Sequence, residues 1–464
     1  MKKRTRNIIL AIVGLQIIVI IGLMMLPTVV RTIPGRYRVA LQERAPLLGN
    51  ITESVIDQVA PMAEIPAPAQ AVSGADSVDI SSLIKSEPTA VPTNQPPPPT
   101  AVPVESGATE SEVAEPTPVL TNTPLPSPSP TPEPLPTAVA IEGIEVVKQT
   151  FNNCGPANLT QVLNWYGDDI TQETVADYLK PNSEDRNVSP WQIADYVNDY
   201  TFGYNAIARS GGSLEMVKRF IAAGYPVVIE KGYELPDSGW WGHYLTVYGY
   251  DDEKQELYSQ DSYLGPWDSS GRTDGYAEVE KYWQQFNYTF YVVYLPQQEE
   301  EVAAILGEDM FDDFKMWQHV AALADREAKA NPDDAIAMFN LGTALTRLGE
   351  LTGDHEYYQG GVQAFDRARE IGLPPRMLWY QHMPYLAYWK VGRGQDVLDL
   401  ADATLAAQGG SNVEETYWYK GHVLAEQGDL YGAKSAYQSA LAVNENFYPA
   451  QVSLDWINSL LAGG

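Results

Sequence analysis

Between Ser86 and Thr137 the chain cannot build a packed core. This stretch contains Gln95-Pro96-Pro97-Pro98-Pro99 and Pro124-Leu125-Pro126-Ser127-Pro128-Ser129-Pro130-Thr131-Pro132, and it has no aromatic residue. Such a composition buries too little apolar surface to offset the entropy of ordering the backbone. Its prolines favour extended polyproline II, at about 3.1 Å per residue, so it reads as a spacer. The spacer lies within a linker assigned to residues 38–137. Positions 38–85 are mildly apolar, show no sustained period and suggest no fold.

Upstream, Lys2, Lys3, Arg4 and Arg6 precede an uncharged run from Ile8 to Val30. As a helix this run spans roughly 30 Å of hydrocarbon. The basic flank is expected to stay in the cytoplasm, with everything after the run outside. Residues 1–37 are therefore expected to form a single-pass anchor in the cell membrane, with the later regions extracytoplasmic. A cleaved signal peptide is the alternative.

Downstream, the pattern changes twice. From Ala138 to Gln298, helix-period runs (Leu159 to Tyr166, Val175 to Leu179) precede strand-like ones, among them Tyr225-Pro226-Val227-Val228-Ile229, Tyr244-Leu245-Thr246-Val247-Tyr248 and Thr289 to Tyr294. Helices first and strands later indicate an α+β domain. Gln297 to Gly307 reads as an acidic connector. Residues 299–464 carry no strand pattern, and Gly394 and Gly428 stand 34 positions apart, each between a first and a second helix. Gly342 and Gly421 are 79 apart, which is two units of 34 plus an insertion of 11 near Glu350 to Gly361. The last unit alternates small and large residues through Trp418, Gly421, Leu424, Gly428, Ala433, Tyr437 and Ala440. This resembles tetratricopeptide repeats, whose period is 34. The resemblance implies an all-α solenoid that binds a protein partner, with Tyr380, Tyr388, Trp389 and Trp418 available either to its concave face or to helix packing.

Charge and cysteine count narrow the chemistry. The net charge is −30, from 30 basic and 60 acidic residues. Beyond the N-terminal flank there is no basic block, so nucleic-acid binding is not expected. Cys154 is the single cysteine, which rules out an intrachain disulfide and a cysteine-built zinc site. No cofactor or metal is expected.

A lone thiol suits a nucleophile, and its surroundings fit that role. Cys154-Gly155-Pro156 opens an amphipathic run, and proline is favoured just inside a helix start. The positive end of a helix favours a thiolate. Gln149 is close enough in sequence to supply, with the Cys154 N–H, a site for an oxyanion. His243 is the only histidine between Ala138 and Pro296, and a thiol nucleophile needs a base of its kind. Asp261 follows Glu256 to Gln260, the expected return strand of a hairpin, where its carboxylate could orient the imidazole. Trp240-Trp241 reads either as a substrate wall or as core. Asn158-Leu159-Thr160 matches a glycosylation sequon but falls in an expected ordered element.

Gln149-x4-Cys154-Gly155-Pro156, Gly242-His243-Tyr244-Leu245-Thr246-Val247-Tyr248-Gly249-Tyr250-Asp251 and Asp261-Ser262-Tyr263 together resemble the papain-like cysteine peptidases of the bacteriocin-processing, double-glycine-cleaving kind. Ser189-Pro190-Trp191-Gln192 and Ala223 to Ile229 fit the same pattern. The resemblance implies a papain-like fold, with Cys154 as nucleophile, His243 as base, Asp261 as orienting residue and Gln149 at the oxyanion. It also implies hydrolysis of a peptide or protein substrate through a thioester. Asn153 stands where the family often has aspartate, and no Gly-x4-Gly-Lys-Ser/Thr loop of a transport ATPase occurs. A catalytically inactive peptide-binding scaffold, and a transferase in which an amine resolves the thioester, fit the same residues.

Overall fold

The structure, a computed structural model, describes residues 64–70, 77–85, 134–235 and 239–463, with the single positions 16 and 45. The apolar run from Ile8 to Val30, apart from position 16, and the proline-rich run up to position 133 lie outside the described residues. Among the described residues no helix is long and apolar enough to cross a membrane.

Seven strands form one antiparallel sheet: β1 (Ala138–Ala140), β2 (Asn205–Arg209), β3 (Val227–Leu235), β4 (Gly239–Asp251), β5 (Glu256–Gln260), β6 (Arg272–Gly275) and β7 (Phe290–Tyr294). The order is β2-β7-β3-β4-β5-β6. β4 pairs with β3 along 239–247 and with β1 along 249–251, while β5 takes its other edge. The period of two is visible in the packing. Val227, Ile229, Leu245, Val247, Phe290 and Val292 enter one core, and Val228, Tyr244, Tyr291 and Val293 enter the other.

A short helix, α1 (Ile80–Leu83), precedes β1. On the Val228 side lie α2 (Cys154–Trp165), α3 (Gln172–Leu179) and α4 (Pro190–Tyr200). α2 buries Leu159, Val162 and Leu163. α4 starts at a reciprocal Ser189/Gln192 capping box with Pro190 in its first turn, which satisfies donors the helix leaves open. The other core receives α5 (Leu214–Ala222), α6 (Tyr276–Trp283) and the first helices of the C-terminal region.

Those later helices are α7 (Glu299–Leu306), α8 (Glu308–Phe311), α9 (Asp313–Ala330), α10 (Ala335–Thr352), α11 (His355–Ile371), α12 (Met383–Lys390), α13 (Gly394–Ala406), α14 (Glu414–Glu426), α15 (Leu430–Val443) and α16 (Tyr448–Gly463). The expected acidic connector is instead α7, because Val302 and Leu306 bury against the sheet-side core while the glutamates face solvent. Helix pairs α10/α11 and α14/α15 pack through a glycine on the first helix and an aromatic ring on the second. A Cβ on Gly342 would lie 2.7 Å from Phe365, and one on Gly421 would lie 2.4 Å from Tyr437. The extra residues near Glu350 lengthen α10 and α11 to 18 and 17 residues, against 13 and 14 in α14 and α15. Tyr388 is fully buried and Trp418 bonds Ser453, so both serve packing.

Two pieces of the expected linker are docked on these helices. Leu83 enters the sheet-side core, the Tyr357 hydroxyl donates to its carbonyl at 3.3 Å, and Gln363 donates to the Val78 carbonyl at 3.4 Å. On the other side of the proline-rich run, the Tyr250 hydroxyl donates to the Pro136 carbonyl at 2.8 Å, so the described residues that flank the run on each side both sit on the folded body.

Candidate active site

Cys154 is the first residue of α2, half-buried, so its own N–H is among those the helix cannot bond internally. β4 delivers His243 and the turn after β5 delivers Asp261; both are buried. His243 Nε2 lies 2.9 Å from Asp261 Oδ1. The ring also hydrogen-bonds Cys154, and with Nε2 engaged, Nδ1 is the nitrogen left for the thiol. The same Asp261 oxygen accepts the Tyr263 and Leu264 amides, each at 2.8 Å, which locks its carboxylate in place.

Burial disfavours charge on His243, but the Asp261 carboxylate and the bonds to Asp261 and Cys154 outweigh it and push the imidazole up to about 9. Burial opposes ionisation of Asp261 as well, yet the His243 charge and the two amides hold its carboxyl below the usual range. At neutral pH the pair is imidazolium and carboxylate. The rings of Tyr233 and Tyr263 stand 5.4 and 6.2 Å from the imidazole.

Gln149 is tied to the residue beside Asp261. Its N–H donates to the Ser262 carbonyl at 2.9 Å, and its side-chain oxygen accepts from the Ser262 hydroxyl at 2.8 Å. The amide oxygen is thus occupied and the NH2 group remains as donor. Ser262 in turn accepts from Asn158, whose Nδ2 reaches the carbonyls of Cys154 and Tyr244 at 2.9 and 3.1 Å. Asn158 Oδ1 accepts from Thr246 at 2.7 Å and from Gln161 at 3.2 Å. This buried network joins the first turns of α2 to β4 and to the Ser262 turn, so the thiol, the imidazole and Gln149 are held by one set of bonds. In the sequence Asn158 stands out only as part of a sequon, yet in the fold it is fully buried. The signal present is a polar pair, Asn158 and Gln161, three apart on the buried first turns of α2.

Two further buried groups border the thiol. Burial and the nearby Cys154 hold the Glu230 carboxyl well above the usual range, against a bond to Tyr244. The Tyr244 hydroxyl donates to the Val188 carbonyl at 2.7 Å. Lys180 donates to the carbonyls of Asn152 and Asp185 at 2.9 and 3.0 Å, pinning the turn that precedes Cys154. Burial pulls its ammonium down to about 8, against the attraction of Asp185 and Cys154.

The helical region completes this neighbourhood. Tyr380 packs over Gly242, where a Cβ would lie 2.9 Å from its ring, so the residue before His243 has to be small. Trp240 stacks on Phe286 at 5.8 Å and meets Tyr380 edge-on, which makes it core. Trp241 meets Trp379 and carries the Arg376 guanidinium 4.0 Å above its ring.

The geometry can be set beside known proteins. Residues 141–291 match the Peptidase_C39 like family. The match covers β2 to β6, the start of β7, α2 to α6 and all four residues singled out from the sequence, and it supports a papain-like peptidase domain there. No curated protein matches the chain.

Proposed function

We propose that this protein is a cysteine peptidase that hydrolyses peptide bonds at Cys154. The observation that carries the reading is the Cys154–His243–Asp261 arrangement, a sulfur at a helix N-terminus bonded to an imidazole that a buried carboxylate holds at 2.9 Å. The Cys154 Sγ attacks the scissile carbonyl carbon as a thiolate, its proton already held on His243, and the oxyanion lies against the Cys154 N–H and the Gln149 NH2. His243 gives its proton to the leaving amine, and the C–N bond breaks to leave a thioester. The neutral imidazole then takes a proton from water, the hydroxide adds to the thioester, and the acid leaves as Sγ departs. Asp261 stays ionised throughout and holds the ring orientation.

In the same reading, the apolar run from Ile8 to Val30 holds the chain in the cell membrane with the peptidase-like domain outside, and the helical region is a tetratricopeptide-like array that recruits a protein partner. The periodicity of Gly342/Phe365 and Gly421/Tyr437 supports the array.

A thiol-directed peptidyl probe tests the chemistry. Wild type is expected to label stoichiometrically at Cys154, Cys154→Ala not at all, and His243→Ala at least about 100-fold more slowly. Equal labelling rates in wild type and His243→Ala would remove the peptidase reading and leave a peptide-binding scaffold.

A further inference from the structure

The helical region holds a charge network that is not closed on itself. Arg369 of α11 and Asp396 of α13 form an ion pair at 2.7 Å, and each side chain is 1 % exposed. Arg393 bonds Asp396 at 2.9 Å and reaches both oxygens of Asp366, which also accepts from the Tyr388 hydroxyl at 2.7 Å. The Tyr388 ring lies 5.0 Å from the Arg369 guanidinium and 4.7 Å from that of Arg393. Two arginines and two aspartates balance in charge, yet two guanidinium donors and one carboxylate position point elsewhere.

They point at residues 64–70. Arg369 Nε donates to the Pro66 carbonyl at 2.8 Å, and Nη2 donates to the Ala67 carbonyl at 2.9 Å. Asp396 Oδ1 accepts the Ala69 N–H at 2.8 Å. Ile65 packs on the neighbouring apolar cluster with Met383, Leu386 and Val397, whereas Ala67 and Ala69 are exposed. Among the described residues these polar contacts are all to main chain, and Ile65 supplies an apolar anchor. The two prolines favour the extended backbone these contacts require. Neither proline lies where the site needs an N–H, and Ala69 does.

We propose that this face of α11 to α13 is a peptide-recognition site for an extended apolar-Pro-x-Pro-x segment, and that residues 64–70 are its resident, exchangeable ligand. Buried charges whose spare hydrogen-bonding capacity is aimed at a backbone define a site that reads conformation more than side chains. The inference deepens the reading of the helical region as a partner-binding array by naming the peptide class that one of its faces takes. Because the resident segment is part of the same chain, a free peptide competes with an effective concentration on the order of millimolar.

The test uses the full chain and a fluorescent peptide with the sequence of Glu64 to Gln70. Ile65→Ser with Ala69→Pro removes the anchor and the required N–H from the resident segment without touching the helices. This double variant should bind the peptide at least tenfold more tightly than wild type. A peptide with proline at the Ala69 position should bind it at least tenfold more weakly. A double variant with the wild-type melt that binds neither peptide, or both equally, overturns the proposal. Should that variant not fold, hydrogen exchange in wild type decides. Excess free peptide should lower protection of the Ala69 amide, and unchanged protection would make the segment a fixed strap. A partner that binds the full chain in that case engages another face, so the array reading would survive the loss of this site.

Discussion

His243 carries its charge in a place that burial alone would forbid. The 2.9 Å contact to Asp261 reverses the burial effect and raises the imidazole to about 9. Asp261→Asn removes that charge and fixes no single ring tautomer. The His243 titration, followed by NMR, should then fall from about 9 to 6.5 or below, and kcat on a peptide substrate should fall about 100-fold or more. The sign of the stability effect follows. A folded-state value raised above the unfolded 6.5 contributes stability that is complete below pH 6.5 and lost as pH rises through about 9. The wild-type melt should therefore decline across that window, and Asp261→Asn should flatten the decline. The sequence marks Cys154 and His243 as candidates because the domain holds a single thiol and a single histidine, and it marks Asp261 and Gln149 by their places after the expected hairpin and before the helix start. Nothing local marks Ser262, Asn158 and Gln161, because the groups they bridge, on α2, on β4 and beside Gln149, are brought together only by the fold.

At the scale of elements, α3 and the loop between α3 and α4 couple the site to the helical C-terminal region. Asn444 and Asn446, which follow α15, donate to the carbonyls of Leu179 and Tyr178 at 3.1 and 2.8 Å, and Arg186 donates to the Gly409 carbonyl at 3.0 Å. Asp185 in that loop and Glu414 at the start of α14 are both buried. Burial and the facing Glu414 hold Asp185 well above the carboxylate range, while burial and Glu415 push Glu414 up to about 8. A carboxyl raised in this way stabilises fully below its unfolded value of 4.5, and that contribution is lost as pH rises to about 8. Glu414→Gln keeps an oxygen for Asn444 and adds a donor towards Asp185. It should melt higher than wild type at pH 8, with the difference vanishing near pH 4.5. A variant that melts lower at both pH values would show that Glu414 is held as a carboxylate.

For the whole molecule, the change of pattern at residue 299 is not a change of core. Val302, Leu306, Met316, Trp317, Val320 and Leu341 share one apolar cluster with Val227, Leu245 and Phe290 of the sheet. Trp191 of α4 stacks on Trp317 of α9 at 6.0 Å, with Arg347 over both rings. A chain ended near Glu300 would expose that face of the sheet. It is expected to lack a cooperative thermal transition and to bind a hydrophobic dye, where the chain from position 134 onward melts as one unit. A cooperative melt of the short fragment would show that the sheet and α2 to α6 suffice.

The sequence by itself determined the kinds of element and the chemistry available. Periodicity separated sheet from helix because burial on a strand alternates and burial on a helix recurs every third or fourth residue. The helix start at Cys154-Gly155-Pro156 and the repeated glycine–aromatic pairs are local signals of the same sort. Tertiary structure alone decided that Glu299 to Leu306 is a helix laid on the sheet, and that Tyr380 covers the residue before the catalytic histidine candidate. It also decided that residues 64–70 and 77–85 are held by α10 to α13. Each of these depends on side chains far apart in the chain meeting across an interface, where main-chain carbonyls and buried charges find partners that no local pattern encodes.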